Sequence, residues 1–173
     1  MKLPREWREF IGLLSSHRVR FVVVGAHALA LHGHPRATGD LDLFVESSTR
    51  NADRLGAALA DFGFTALARQ ARRFAEPDRM ATLGGEPLRI DLMTSISGVD
   101  FSTAWRNRRR VRMGRYVVPF LGRRDLVRNK RAAGRPQDAV DIARLAKGRM
   151  RSAPSPARQR GPAKRRSAKR RPW

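Results

Sequence analysis

The stretch FVVVGAHALALHGHPRATGDLDLFV, residues 21–45, carries the pattern on which the fold prediction rests. An apolar, β-branched run ends at Gly25 and is typical of a buried strand. A helix-prone segment and a loop rich in Gly and Pro follow, and a second apolar strand over 41–45 begins beside Asp40 and contains Asp42. The stretch therefore predicts a strand, a short helix and a second strand that brings two acids into a sheet.

Asp40 and Asp42 point to the same side of that second strand, about 7 Å apart at Cα, because successive strand residues alternate between faces. Leu41, Leu43 and Val45 then face the core. Two carboxylates held this close repel each other unless a cation lies between them, and oxygen ligands suit a hard ion such as Mg²⁺. The alternative is a strand edge with two solvated acids.

Hydrophobic periodicity over the rest of the chain predicts an α+β protein with a mixed β-sheet and flanking helices. The predicted helices cover residues 4–16, 26–31, 49–61, 123–132 and 137–146. The predicted strands cover residues 20–24, 41–45, 88–93, 109–113 and 116–120, with one or two more within 64–83.

A third acid, Asp91, lies within the predicted strand over 88–93. The alternation of that strand places Asp91 on the same face as Arg89 and opposite Ile90 and Leu92. Taken alone, Asp91 also fits the pattern of a sheet carboxylate that pairs with an arginine. Together with Asp40 and Asp42, it indicates a metal site.

The chain is strongly basic, with 37 Lys and Arg against 15 Asp and Glu and a formal charge of +22. A basic surface attracts nucleic acid through counterion release, although charge alone does not identify a substrate. There is no cysteine, which excludes disulfides and thiolate metal sites. The sequence lacks an apolar run long enough for a signal peptide or a membrane span, so we expect a soluble, cytoplasmic protein.

A length of 173 residues suits one domain with appendages. We predict a domain over 1–146, with a core over 20–120 and a C-terminal helical segment over 122–146. From Lys147 to Trp173 the chain has 11 Lys or Arg, no acid and few apolar residues. This composition predicts a disordered basic tail over 147–173.

The succession of Gly25, Asp40, Asp42 and Asp91 resembles the DNA polymerase β-type nucleotidyltransferase superfamily. The signature of that superfamily is an apolar strand, Gly-Ser or Gly-Gly, an Asp-x-Asp strand and a third acid on a later strand. Residues 22–43 look like the small bacterial branch that includes AbiEii-like toxin nucleotidyltransferases. The segment KRAAGRPQDAVDI, residues 130–142, is similar to the closing motif of that branch. The resemblance spans residues 20–146 and implies a fold like the polymerase β palm.

The resemblance implies that Asp40, Asp42 and Asp91 bind Mg²⁺ or Mn²⁺ and act in catalysis, with Asp91 also orienting or deprotonating the attacking hydroxyl. It further implies that Lys130 contacts the triphosphate of an NTP. By the same resemblance, Gly25 belongs to the nucleotide-binding motif.

Two positions after Gly25 depart from the superfamily pattern, because Ala26 and His27 stand where Ser or a second Gly is usual. Ala26 lacks a hydroxyl for the phosphate, but backbone N–H groups at a helix N-terminus can still bind an anion. His27 either supplies the missing donor or is a surface side chain. Arg36 and Thr38 flank the site on a loop, where they reach phosphate or cap Asp40.

Three residues of the closing motif are predicted to support the site without binding the metal. Asp138 and Asp141, at i and i+3 on one helix, would hold Lys130 or Arg144 in place. Arg135 would set the turn between the two last helices.

We therefore predict a nucleotidyltransferase that moves an NMP from an NTP to a hydroxyl and releases pyrophosphate. The branch that it resembles includes enzymes that modify the 3′ end of tRNA, so RNA is one expected acceptor and a protein hydroxyl is another. A toxin with an antitoxin partner is compatible with the same resemblance. The alternative is a non-catalytic protein of this fold that binds RNA or a protein partner.

Overall fold

The computed structural model of the protein describes residues 3–147 and contains a six-stranded sheet flanked by helices. The strands are β1 Phe21–Val23, β2 Asp40–Val45, β3 Met80–Leu83, β4 Arg89–Met93, β5 Arg109–Met113 and β6 Tyr116–Phe120. Their order in the sheet is β3-β4-β2-β1-β6-β5. β2 is parallel to β4 and β1 to β6, whereas the other neighbouring pairs are antiparallel. The prediction of a mixed sheet with flanking helices is confirmed.

The helices form where apolar residues recur every three or four positions. They are α1 Arg5–Ser16, α2 Gly25–Leu31, α3 Thr49–Asp61, α4 Thr65–Arg69, α5 Phe101–Arg106, α6 Arg123–Ala133 and α7 Pro136–Lys147, with a 3-10 helix at Ala71–Ala75. Ser48 caps α3 by accepting a hydrogen bond from the Asn51 N–H at 3.3 Å. Gly134 ends α6 in the left-handed conformation.

The sheet separates two hydrophobic clusters, and its strands alternate between them. Val23, Leu41 and Leu43 belong to the cluster that α1 and α3 cover, together with Ile90 and Leu92. The other cluster contains apolar residues of α2, α5, α6 and α7, together with Val22 of β1, Val24 directly after β1 and Phe44 of β2. Because Asp42 lies two positions from Phe44, it points toward this second layer, as does Asp91, which alternates with Ile90 and Leu92.

The prediction of strands within residues 64–83 is correct for β3 and wrong for residues 64–75. That segment forms α4 and the 3-10 helix instead. Its apolar residues recur at helical spacing and pack on the α1 and α3 cluster: Phe64, Leu67, Ala68, Ala71, Phe74 and Ala75. Helix α5 was not predicted. It begins at an N-cap, Asp100, whose carboxylate accepts from the Thr103 N–H at 2.8 Å.

The predicted disordered tail lies, except for Lys147, outside the described residues. The domain boundaries therefore remain predictions. Within residues 3–147, no helix is both long and apolar enough to cross a bilayer.

Candidate active site

Three acids meet at one end of the sheet, which we call the carboxylate end. β1 ends there, and β2 and β4 begin there, because β1 is antiparallel to β2 while β2 is parallel to β4. The register of the parallel pair sets Asp42 opposite Asp91 and Asp40 opposite Arg89. The sheet thus brings together the three acids that the sequence singled out, although Asp91 is separated from the other two by about fifty residues.

Gly25 keeps the space beside Asp42 open. It has φ +60°, and a Cβ added to it would lie 1.9 Å from Asp42 Oδ2. No larger residue fits this position without displacing the carboxylate, and the positive φ also favours glycine. The motif glycine therefore allows α2 to begin directly against the Asp42 carboxylate.

Arg89 lies between two of the acids. Its Nη2 is 2.9 Å from Asp40 Oδ2, and its Nε is 3.2 Å from Asp91 Oδ2. The Nε approach is close enough for an ion pair but is not aligned as a hydrogen bond. Within residues 3–147, no three His, Asp or Glu side chains stand together as a ready-made ion site. In this structure the Arg89 guanidinium supplies the positive charge between Asp40 and Asp91.

The surroundings of Asp42 and Asp91 differ. Asp91 is buried and accepts a hydrogen bond from Thr82 Oγ1 on β3 at 2.7 Å. Burial raises the pKa of Asp42, and the negative charges of Asp91 and Asp40 raise it further, whereas Arg135 and Arg89 oppose this. Asp42 therefore carries its charge at a cost, which a bound cation would offset.

A cavity of about 390 Å³ opens beside Asp42. Its lining combines the turn from β1 into α2, the segment after β4 and the α6–α7 region: Val24, Gly25, Asp42, Asp78, Met93, Ser95, Ile96, Ser97, Asn129 and Arg135. Asn129 Nδ2 donates to the Ser97 carbonyl at 2.9 Å and so ties α6 to the segment after β4. A larger cavity of about 710 Å³ lies between α1 and the β5–β6 hairpin. No acid lines that larger cavity. The smaller cavity is therefore the candidate active site, because it is lined by Asp42.

Lys130 is buried in a network of charges. Its Nζ is 2.9 Å from Asp138 Oδ1 and 2.7 Å from Asp141 Oδ2. Arg36 Nε is 3.7 Å from the same Asp141 oxygen. Asp138 and Asp141 therefore contact Lys130, and the ammonium group is already occupied by them.

Arg135 extends from the same network into the cavity. Its backbone N–H donates to Asp138 Oδ2 at 3.3 Å, while its side chain is 78% exposed. Its positive charge also opposes the rise in the pKa of Asp42. Arg135 therefore faces the open space of the cavity, whereas Lys130 does not.

The residues predicted to contact the nucleotide differ in how deeply their side chains are buried. Thr38 Oγ1 accepts from the Asp40 N–H at 3.3 Å, which is the capping contact considered from the sequence. Ala26 is buried. The His27 ring packs edge-on against Trp7 with centroids 5.1 Å apart, and burial lowers its pKa. Of the segment Gly25 to His27, Gly25 is the residue that lines the cavity beside Asp42.

Sequence reasoning did not assign Arg89 or Asn129 to the site. The place of Arg89 could have been predicted, because it lies two positions from Asp91 and therefore on the same face of the strand. Asn129 had none, because its place depends on how α6 packs against the segment after β4.

The sequence and the fold identify a class of protein. Residues 5–146 match the DUF6036 family, described as a nucleotidyltransferase of unknown function, and the chain belongs to this family. No curated protein is significantly similar to it in sequence.

Two solved structures share the fold. A candidate nucleotidyltransferase from Thermotoga maritima is 17% identical, with a TM-score of 0.52 over 83% of this chain and 91% of that chain. An antigenic nucleotidyltransferase-like protein from Paracoccidioides brasiliensis is 14% identical, with a TM-score of 0.50 over 83% of this chain and 74% of that chain. The nucleotidyltransferase-like fold expected from the sequence is confirmed.

Proposed function

We propose that the protein is a metal-dependent nucleotidyltransferase that transfers an NMP from an NTP to a hydroxyl acceptor and releases pyrophosphate. The observation that carries the proposal is the meeting of Asp40, Asp42 and Asp91 at one end of the sheet, beside a glycine at which any side chain would displace the Asp42 carboxylate. The family and the fold support the general class of reaction.

The donor set fits a hard divalent cation. All three acids supply oxygen, and Gly25, which has no side chain, leaves room for the Asp42 carboxylate itself. When bound, Mg²⁺ or Mn²⁺ would neutralise the triphosphate and stabilise the attacking and leaving oxygens. Asp40 and Asp42 are the residues that would hold it on the NTP.

Asp91 has a second role in this proposal. Thr82 and the parallel register fix its carboxylate opposite Asp42, so it can complete the ligand set and accept a hydrogen bond from the attacking hydroxyl. Arg89 must release at least one of its two carboxylates when the site is loaded. It therefore keeps the acids neutralised while the site waits for substrate.

We assign the triphosphate contact to Arg135 rather than to Lys130. Arg135 is exposed in the cavity beside Asp42, and a guanidinium can bind phosphate oxygens in a bidentate manner. Lys130 instead holds Asp138 and Asp141, and these hold the corner between α6 and α7 from which Arg135 projects.

The narrower parts of the proposal concern the acceptor and the biological role. The acceptor is a hydroxyl of RNA, with tRNA included, or of a protein. The AbiEii-like resemblance adds a toxin role with an antitoxin partner, for which growth arrest on expression is the expected sign.

Arg89 also favours a second candidate function. A guanidinium that pairs with Asp40 and Asp91 is what a non-catalytic protein of this fold would keep once it no longer bound metal. Such a protein would bind RNA or a protein partner without transferring a nucleotide.

The two candidates differ in one assay. Purified protein is incubated with α-labelled NTPs, Mg²⁺ and total RNA or protein extract, alongside Asp42→Ala and the control Glu46→Gln. Glu46 directly follows β2 at the opposite end of that strand and pairs with Arg20. Labelled product with wild type and Glu46→Gln, but not with Asp42→Ala or EDTA, supports the enzyme. RNA binding with no labelled product from any protein supports the second candidate.

A further inference from the structure

Residues 106–115 contain six arginines and no acid. Five of them are exposed, and four of these, Arg106, Arg109, Arg110 and Arg112, lie within residues 106–112. None of these four takes part in an ion pair with another residue of the described range 3–147. The arginines lie on or just before β5, which is the last strand of the sheet and pairs on one side with β6. We call residues 106–112 the arginine strand.

The arginine strand faces in a defined direction. Val111 and Met113 pack against the hydrophobic cluster of α1 and α3. Arg110 and Arg112 alternate with them and so project from the opposite face of the sheet, which is the face that bears Asp40 and Asp42. They are exposed positive charges on the same side of the molecule as the acids, whereas Arg109 shares the face of Val111 and Met113.

The strand also begins at the carboxylate end. Arg109 is paired with Phe120 of β6, and Phe120 is paired with Val23 of β1, two residues before Gly25. Three strand spacings separate β5 from β2, so Arg109 lies about 14 Å across the sheet from the acids. A cavity of about 440 Å³, lined by Arg109, Arg123 and His32 among others, opens at this start of the strand.

Arg108 and Arg20 both lie over the Trp105 ring in spite of their mutual repulsion. The Arg108 guanidinium lies 3.9 Å from the centre of the Trp105 ring, and Arg20 lies 4.7 Å from the same ring. Arg108 also donates to the Trp105 carbonyl. Burial lowers the pKa of Arg108, and the neighbouring charges of Arg110 and Arg20 add to this. A bound polyanion would offset this repulsion.

We propose that the arginine strand binds the phosphate backbone of a nucleic acid and leads its end toward the carboxylate end of the sheet. Arg110 and Arg112 project from one face of the extended strand, and each guanidinium can make a bidentate contact to a phosphate, while Arg109 lies at the start of the strand beside the cavity. The contact is to the backbone and carries no sequence preference. The statement that this nucleic acid is the acceptor rests on the nucleotidyltransferase function proposed above, whereas the binding surface stands without it.

The test compares two triple variants of the full chain that lose the same charge. One is Arg109→Gln, Arg110→Gln and Arg112→Gln. The control is Arg50→Gln, Arg69→Gln and Arg73→Gln, which removes three exposed arginines from α3, α4 and the 3-10 helix. Binding of a labelled single-stranded RNA is measured by fluorescence anisotropy over a series of salt concentrations, without NTP or metal. Matched DNA and poly-glutamate serve as competitors.

We expect the arginine-strand variant to bind RNA on the order of 10- to 100-fold more weakly at 0.1 M salt, with a salt slope smaller by about 2, because roughly 0.7 is lost per phosphate contact. The control should stay within about twofold of wild type, since long-range charge is screened. Equal losses in both variants, or no loss in the first, would overturn the proposal. The arginines would then only protect the edge of the sheet from pairing with other chains. Stronger competition by poly-glutamate than by nucleic acid would overturn it in favour of an acidic protein.

A second measurement separates this proposal from the proposed function. If wild type transfers nucleotides to RNA, the arginine-strand variant should raise KM for RNA and leave KM for the NTP unchanged. If wild type transfers nothing but the variant still loses RNA affinity, the proposed function fails and the binding surface stands. An unchanged KM for RNA in an active enzyme would contradict the role of the strand in leading the acceptor to the site.

Discussion

Arg89 neutralises Asp40 and Asp91 at the place where the proposed function requires a metal ion. The guanidinium and a divalent cation would compete for the same oxygens, because Arg89 contacts one Oδ2 of each acid. The two candidate functions give this contact between Arg89 and the acids different meanings. For an enzyme it is a resting state, and for a non-catalytic protein it is permanent.

Replacing Arg89 should therefore strengthen metal binding. We expect Arg89→Gln to bind Mn²⁺ up to roughly fivefold more tightly than wild type, since a partly exposed ion pair is worth up to about 1 kcal/mol. Titration of Mn²⁺ followed by electron paramagnetic resonance measures the affinity, and Arg79→Gln, which breaks an exposed pair with Glu76, is the control. Equal Mn²⁺ affinity of Arg89→Gln and wild type would show that the guanidinium does not compete with a metal.

Asp42 is the acid whose charge is most costly in the metal-free protein. Its pKa is raised, so the folded state is favoured when Asp42 is protonated, and this advantage is lost as the pH rises through the raised pKa. We expect Asp42→Asn, measured in EDTA at neutral pH, to stabilise the protein by roughly 0.5–2 kcal/mol, as is common when strain at a functional site is relieved. Thermal unfolding followed by circular dichroism tests this, with the exposed acid in Asp53→Asn as control. A lower midpoint for Asp42→Asn than for wild type would contradict the electrostatic account of the site.

At the scale of the elements, the corner between α6 and α7 depends on one buried charge network. Lys130 bonds both Asp138 and Asp141, and all three side chains are buried. The network holds the residue before α7, Arg135, at the mouth of the cavity. The first role of the Lys130 network is therefore structural.

Removing Lys130 should leave two buried carboxylates without their main partner. We expect Lys130→Met to destabilise the protein by about 3–5 kcal/mol, the usual cost of breaking a buried pair from one side. The exposed neighbour in Arg131→Met should change stability by less than about 0.5 kcal/mol. Urea unfolding measures both. If Lys130→Met keeps wild-type stability but raises KM for the NTP, Lys130 contacts the triphosphate and the assignment to Arg135 is wrong.

The elements that could be predicted from sequence are those with a local signal. Gly25, the β-branched run before it and the alternation around Asp42 predicted the order β1, α2, β2. Weak alternation within residues 64–83 predicted one or two strands and gave no sign of the helices over 64–75, and α5 was missed although Asp100 is a good N-cap. The two helices around Gly134 and Pro136 were predicted to within one residue at either end.

The site could be predicted only in part, for a physical reason. Asp40 and Asp42 are fixed by local alternation, but the position of Asp91 opposite Asp42 needs the β2–β4 register, which no local signal gives. Sequence also does not determine which of Lys130 and Arg135 is buried, since that depends on the packing of α6 against α7. For the same reason the pairing of Arg89 with two acids emerged only from the structure.

At the scale of the whole molecule, the described core closes with Leu145, which is fully buried, and the match to the family ends at residue 146. We expect removal of residues 148–173 to leave the unfolding midpoint unchanged, while RNA affinity falls and the salt slope shrinks because positive charge is lost. Differential scanning calorimetry and the anisotropy assay measure the two effects. A clear fall in the unfolding midpoint would contradict the predicted domain boundary.

The central claim is that the carboxylate end transfers a nucleoside monophosphate, and the fate of two labels tests it most directly. Wild-type protein is incubated with Mg²⁺, acceptor and each NTP labelled at either the α- or the γ-phosphate. We expect the α-label to become attached to the acceptor and the γ-label to leave as pyrophosphate, with both reactions absent in Asp42→Asn. Attachment of the γ-label, or attachment of neither label with any NTP or acceptor, would contradict the account.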